Sequence, residues 1–316
     1  MNQNRKNSLS NVKATALKLI PAVFYALLIF FLILYIQTID FTELQRVEVA
    51  WPYLIVSLGL AVAFRYLGAV IWLDILKGLG ARDITDKTAL FYVYAKSWLG
   101  RYIPGTAPWI LGKIYFAAKY GISKHKLAVS SLLEAGLQIV TILVLSGAML
   151  LIDPRLGSID GELKAVMIVL IILGVVTLMP PVFNRIVGVA YKVVKKKQFP
   201  AEHRATGKII LRGSLLYGVG AILNGLAAFF VAKALYPELG FENAVFVISA
   251  ANLAGVVGML ALFAPSGIGV REAVLLVLLA FIMPPEIAVA VVVLMRLWDV
   301  VSDFVFLGVA RLCKRT

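Results

Sequence analysis

Apolar residues in this chain neither alternate nor recur at every third or fourth position; they run on. Long, predominantly apolar stretches cover residues 17–36, 53–73, 127–152, 165–182, 214–235, 244–263 and 287–309. A helix needs about 20 such residues to cross roughly 30 Å of hydrocarbon, whereas a membrane strand alternates over about ten. The pattern predicts an all-α polytopic integral membrane protein. Two stretches depart from it. Residues 88–120 are moderately apolar and are broken by Arg101-Tyr102-Ile103-Pro104-Gly105-Thr106-Ala107-Pro108, and residues 244–283 by Pro265-Ser266-Gly267-Ile268-Gly269. Proline removes a backbone donor and glycine admits tight turns. Irregular backbone at membrane depth persists only where protein or a watery cavity satisfies it.

The breaks recur at a constant spacing. An offset of 161 residues relates Tyr53 to Ser214 and Pro104 to Pro265, and one of 160 relates Leu127 to Ile287. After each break comes a cation, in Gly112-Lys113 and in Val270-Arg271. This order of features reads as an internal duplication over about 51–152 and 213–310. Basic segments at 5–18, 185–212 and 311–315 alternate with neutral or acidic loops at 40–48, 153–162 and 238–242. By the positive-inside rule this places both termini in the cytoplasm and gives the halves opposite orientations. The expectation is a single transmembrane domain over 1–316, with six full spans plus two re-entrant broken hairpins in an inverted repeat and a cytoplasmic basic loop at 185–212. In such repeats broken segments meet near the bilayer midplane. The alternative counts 244–263 and 270–283 as ordinary spans, giving eight. The run 17–36 follows a basic segment and is too long for a cleaved signal, so it reads as a retained anchor in a plasma-membrane protein.

Composition agrees: 61% of residues are hydrophobic and 15% charged, with a mean hydropathy of +0.92. The net charge of +14 would invite a nucleic-acid partner, but its clustering assigns it to topology and to contact with anionic headgroups. Cys313 stands alone, so no disulfide framework is expected.

Charges inside hydrocarbon cost at least ~2.5 kcal/mol each and need a reason. Arg65, Glu134, Arg296, Asp299 and Asp303 lie within apolar runs, Arg271 and Glu272 beside the second break, and Asn224 and Asn252 add uncharged polar groups. Positions 296, 299 and 303 share one helical face. One reading is a polar cavity between the halves, where arginines offer planar donor forks to phosphate or carboxylate. The other is internal pairing, for instance Arg296 with Glu134 or Asp299. Pairing is favoured for Arg65 and Asp303, function for Arg271 and Glu134. Trp98 and Trp109 are either interfacial anchors or cavity wall. Glycines from Gly218 to Gly225 and the Gly255/Gly258 pair fit close helix packing. Gly105 to Lys113 fails as a phosphate loop. His125 and His203, the only histidines, fall outside the apolar runs and offer no zinc site. No metal or cofactor is expected, and no catalytic residue.

Gly100-Arg101-Tyr102-Ile103-Pro104-Gly105, followed by Trp109, Gly112-Lys113 and Glu134, resembles the first signature of the lysylphosphatidylglycerol synthase transmembrane-region family, whose members are also called flippase-like domain proteins. The stretch from Pro265 through Gly267, Gly269, Arg271 and Glu272 resembles its second. Ala135 stands where many members have arginine, and Lys113 where arginine is common. In the larger synthases of the family such a domain moves charged phospholipid between leaflets, while a separate soluble domain makes the lipid. The chain stops at Thr316, directly after the last apolar run, which predicts a stand-alone module.

The reading that follows is a transporter-like protein rather than an enzyme, translocating a phosphate-bearing phospholipid or lipid-linked intermediate. Its expected site comprises Arg101, Pro104, Gly105, Lys113, Glu134, Pro265, Gly267, Gly269, Arg271, Glu272, Arg296 and Asp299. The expected partners are membrane lipids with anionic or aminoacylated headgroups. The alternatives are secondary transport of a small soluble anion, or partnership with a separate synthase or glycosyltransferase.

Overall fold

The computed structural model describes residues 48–81, 86–102, 108–155, 161–196, 198–261, 264 and 267–314, and every regular element among them is helical. The expected anchor at 17–36 lies outside the described residues, as do Pro104, Gly105, Pro265 and Ser266.

The first half contains α1 (Trp51–Gly78), α2 (Lys87–Trp98) continued by a 3-10 turn (Leu99–Tyr102), α3 (Pro108–Ala117) and α4 (Lys124–Leu151). Next come α5 (Gly161–Thr177) and α6 (Pro180–Lys195). The second half contains α7 (Gly207–Leu235), α8 (Ala244–Leu260), α9 (Val270–Leu279) and α10 (Pro285–Cys313). Side-chain caps set several starts. Asp86 accepts the Ala89 N–H at 2.8 Å to open α2, and Thr206 accepts that of Ile209 at 3.4 Å to open α7; such caps are each worth about 1 kcal/mol. Pro52 and Pro285 occupy first turns, where a missing N–H costs nothing.

Both halves therefore run long helix, two short helices, long helix, and their packing follows the same plan. α4 packs on α7 and α8, and α10 packs correspondingly on α1 and α2. α1 meets α4 as α7 meets α10, and α3 meets α4 as α9 meets α10. The most extensive contact joins α1 to α7, and these two helices are antiparallel. The Ala50 N–H bonds the Ala234 carbonyl at 2.9 Å, Ser57 Oγ bonds the Ala227 carbonyl at 2.8 Å, and Gly220 admits the Phe64 ring. At the far end Ile209 lies against Gly78.

Four helical segments among the described residues are long and apolar enough to cross a membrane: Trp51–Gly78, Lys124–Leu151, Ala201–Leu235 and Phe241–Leu260. The α5/α6 pair makes a fifth if counted as one bent span. α10 matches them at 29 residues but carries Arg296, Asp299 and Asp303. Phe241–Leu260 fits the alternative's ordinary span over 244–263 rather than a re-entrant arm, whereas α9, with 10 residues, extends about 15 Å, half the hydrocarbon thickness.

Two expectations are corrected. The apolar run 165–182 does not continue as one helix: at Pro180-Pro181 the chain turns by 87°, because proline cannot extend the hydrogen-bond ladder behind it. The basic stretch 185–212 is likewise no simple loop. It enters within α6 and ends within α7. α6 buries Phe183, Val187 and Tyr191 against the bundle and exposes Arg185 and Lys192, with Ile186, Val189 and Val193 exposed between these faces. α5 is the opposite case, with only Gly174 buried and most of its surface apolar, as for a helix bathed in lipid.

Two apolar cores sit at opposite ends of the bundle. One gathers Trp72, Leu76, Tyr94, Leu133, Tyr217 and Phe306, the other Leu54, Phe229, Phe246, Leu279 and Val291. A smaller third cluster gathers Ile142, Ala221 and Val256.

Candidate functional site

Arg65, on α1, is buried and directs its donors at protein. Nε bonds Asp303 Oδ1 at 2.5 Å, Nη2 bonds Oδ1 and the carbonyl of Asp299 at 3.1 Å each, and Nη1 bonds the Ala61 carbonyl at 3.0 Å. Asp303 also accepts from Trp98 Nε1 at 3.2 Å, Arg101 Nη2 at 2.5 Å and the Tyr102 hydroxyl at 2.6 Å. It is a hub with four donors that ties α10 to α1 and to the α2 arm. Asp299, one turn earlier on the same face, takes Arg271 Nη1 at 2.5 Å as well as Arg65. One carboxylate thus accepts a guanidinium from each half. Bonds between ionised partners are roughly twice as strong as neutral ones, and these hold both hairpins to one helix.

A cavity of about 270 Å³ opens against this network. Arg65, Arg101, Arg271 and Asp299 form its charged wall, and Gln138, Asn224 and Asn252 add amides. Side chains of Arg101 and Arg271 are 18% and 19% exposed, so both reach the open space while bound to their aspartates. Three guanidinium groups face two carboxylates. Trp98 and Trp109 belong to the wall, and Arg101 lies 5.0 Å from the Trp98 ring centroid. A Cβ added at Gly255, also in the wall, would meet nothing within 4 Å. Gly255 therefore faces the cavity and is not a packing glycine. Gly225 and Gly258 do serve close approach, against Ile248 and against Gly267 and Arg271.

Glu134 behaves differently. It is paired with Lys113, accepts the Tyr94 hydroxyl at 2.8 Å, and is fully buried. Lys113 Nζ lies 4.4 Å from the Trp109 ring centroid, 4.9 Å from Tyr94 and 5.6 Å from Trp72. Neither partner lines the cavity; Trp109, which does, stands next to them.

A single cavity brings together Arg101 and Trp109 from the first break with Gly267 and Arg271 from the second. A family model described as the lysylphosphatidylglycerol synthase TM region matches residues 18–306. The chain belongs to this family. Comparison with curated proteins and with solved structures returns no match.

In this member of the lysylphosphatidylglycerol synthase transmembrane-region family, both signature stretches border one space. Ala135 lies in its wall, so that position adds no charge. Gly267, at φ +67°, could not carry a side chain: a Cβ would stand 2.6 Å from the Gly258 Cα. Gly269, at φ +87°, opens α9 and donates its N–H to Glu272 Oε2 at 2.6 Å. Glu272 also meets Arg296 at 3.6 Å, away from the cavity. The expected pairing of Arg296 with Glu134 or Asp299 is thus corrected, since Glu134 is taken by Lys113 and Asp299 by Arg65 and Arg271. Pro104, Gly105 and Pro265 lie outside the described residues. Sequence reasoning missed Gln138 altogether, although an amide one turn beyond Glu134 in an apolar helix was a signal. It also set Arg65 and Asp303 aside as pairing groups, which they are, but Arg65 lines the cavity too. No group of three His, Cys, Asp or Glu side chains among the described residues could hold a metal ion.

Proposed function

We propose that this flippase-like membrane protein translocates a phosphate-bearing phospholipid or lipid-linked intermediate between leaflets, with the headgroup held at the arginine wall. The observation that carries the reading is the convergence of Arg65, Arg101 and Arg271 on an open cavity where the two broken segments meet. A surplus of planar donors suits a phosphate, and a cavity walled by both halves suits alternating exposure. The halves form an inverted repeat on this proposal. What supports it is the antiparallel α1/α7 pair and the matching set of helix contacts. Both termini lie in the cytoplasm and the membrane is the plasma membrane. The protein acts as a carrier rather than a catalyst, with no cofactor.

Proteoliposomes of the purified chain, loaded with headgroup-labelled lipid, test this. Translocation of an anionic lipid that falls by at least an order of magnitude in Arg271→Ala is the expected result. Folded protein that accelerates no lipid of a broad panel overturns it, and uptake of a soluble anion under the same conditions would install the secondary-transport reading instead.

A further inference from the structure

Beyond a phosphate, the cavity carries information about what the phosphate is attached to; this inference rests on the lipid-carrier reading. Its charged end is defined by three guanidinium groups and two carboxylates, joined in one network through Arg65. With both carboxylates ionised this leaves one positive charge to be met by the ligand. Every carboxylate among the described residues that touches the cavity is already engaged: Asp299 holds Arg65 and Arg271, and Asp303 behind it accepts four donors. An ammonium group would find no acid to receive it and would face three cations.

The other lining groups are neutral amides. Gln138 is 5% exposed, lines the cavity, and bonds nothing among the described residues. Its amide offers two donors and an acceptor to whatever occupies the cavity. Asn252 anchors its amide on the Ala221 and Ile248 carbonyls at 2.7 and 2.8 Å and accepts from Asn224 at 3.0 Å. This fixes Asn224 at the cavity wall. On the charged side, Arg101 Nε is a buried donor with no partner. The wall runs along α4 from Ala135 to Ile142 and along α8 from Asn252 to Met259, about 10 Å on each helix. That length exceeds what a bare phosphate fills.

The geometry points to a singly charged phosphodiester of a polyol: the phosphate against Arg101 and Arg271, and hydroxyl groups against Gln138 and the Asn224/Asn252 pair. Hydroxyls both donate and accept, as amides require. A phosphomonoester carries too much charge for the single uncompensated cation, and an aminoacylated headgroup carries the wrong sign.

The test uses vesicles containing the purified protein and acyl-chain-labelled lipids with unmodified headgroups: phosphatidylglycerol, phosphatidylmethanol, phosphatidic acid and lysylphosphatidylglycerol. Phosphatidylglycerol is expected to cross at least fivefold faster than phosphatidylmethanol, which has the same charge and no hydroxyl. In Gln138→Leu, checked for wild-type elution and helicity, that ratio shrinks toward one. Equal rates for the two diesters, or a preference for the lysyl lipid or phosphatidic acid, would overturn the inference while leaving the lipid-carrier reading intact. A parallel arm titrates water-soluble glycerophosphoglycerol against the fluorescence of Trp98 and Trp109. Binding there, preferred over dimethyl phosphate, with no lipid moved would keep the headgroup chemistry and remove the lipid carrier. Binding of neither the soluble diester nor any lipid would remove both.

Discussion

The two halves build the same device twice and end with opposite results. In each, a cation on the second arm of the hairpin meets a carboxylate on the long helix that follows: Lys113 of α3 with Glu134 of α4, and Arg271 of α9 with Asp299 of α10. The first pair is sealed. Trp72, Tyr94 and Trp109 close around the ammonium, and neither partner touches the cavity. The second pair stands open, because its neighbours Gly255, Gly258 and Gly267 leave room where the first has rings. The stoichiometry differs too: one cation for one acid in the sealed pair, three for two in the open network. A charge in hydrocarbon thus marks an internal partner in either case, and it is the volume beside it and the uncompensated sign that make a site.

The largest effect is expected from breaking the sealed pair. Glu134→Gln leaves the Lys113 charge buried without a counterion and should lower stability by about 3–5 kcal/mol, read as thermal unfolding of the purified protein in detergent. Lys113→Met combined with Glu134→Gln should recover most of this, and a double variant as unstable as the sum of the singles would refute the pairing logic. Arg101→Gln is milder, about 2 kcal/mol, because Asp303 keeps Arg65, Trp98 and Tyr102; a loss as large as that of Glu134→Gln would show the network to be as brittle as the pair. Next, Gly255→Leu projects a side chain into the open space and should reduce transport on the order of tenfold, about 1.4 kcal/mol, with the unfolding temperature held. Unfolding of that variant at clearly lower temperature would make Gly255 a packing position after all.

The smallest effect lies outside both clusters. Asp86→Ala removes the α2 cap and should cost about 1 kcal/mol near neutral pH. The Ala89 N–H and then the Thr88 hydroxyl hold the Asp86 carboxyl below its ordinary value. A folded-state value below the unfolded one, about 3.9, means that the cap contributes above that value and loses its contribution as pH falls through the lower one. Stability curves of variant and parent should therefore converge in acid, and a constant gap would assign the effect to helix propensity instead.

Much of this organisation was legible in the sequence because burial in lipid is written as uninterrupted apolar length. The runs 53–73, 127–152, 214–235 and 287–309 each found one helix, and each Pro/Gly break falls between two helices that pack on each other. Which cation meets which acid was not legible. Arg296, Asp299 and Asp303 share a face, yet Arg296 turns to Glu272 while the aspartates turn to Arg65, since a modest rotation about the α10 axis decides which neighbouring helix each side chain meets. Trp98 and Trp109 were divided between interface and cavity, and only packing could place them in the wall. The right angle after Thr177 was hidden because Pro180 and Pro181 sit in apolar company, so hydropathy runs through the corner that backbone chemistry makes.

That corner joins two helices suited to different surroundings. α5 exposes mostly apolar side chains, while α6 divides its surface among buried rings, exposed aliphatic groups and cations, a partition that suits the boundary between oil and water. The two helices meet at 87° and cannot trade places. α6 is keyed to the bundle by the Phe183 ring, seated 3.2 Å from where a Gly136 side chain would begin. Gly136 adjoins Ala135 in the cavity wall, so the seat of that one aromatic ring lies a single residue from the open space.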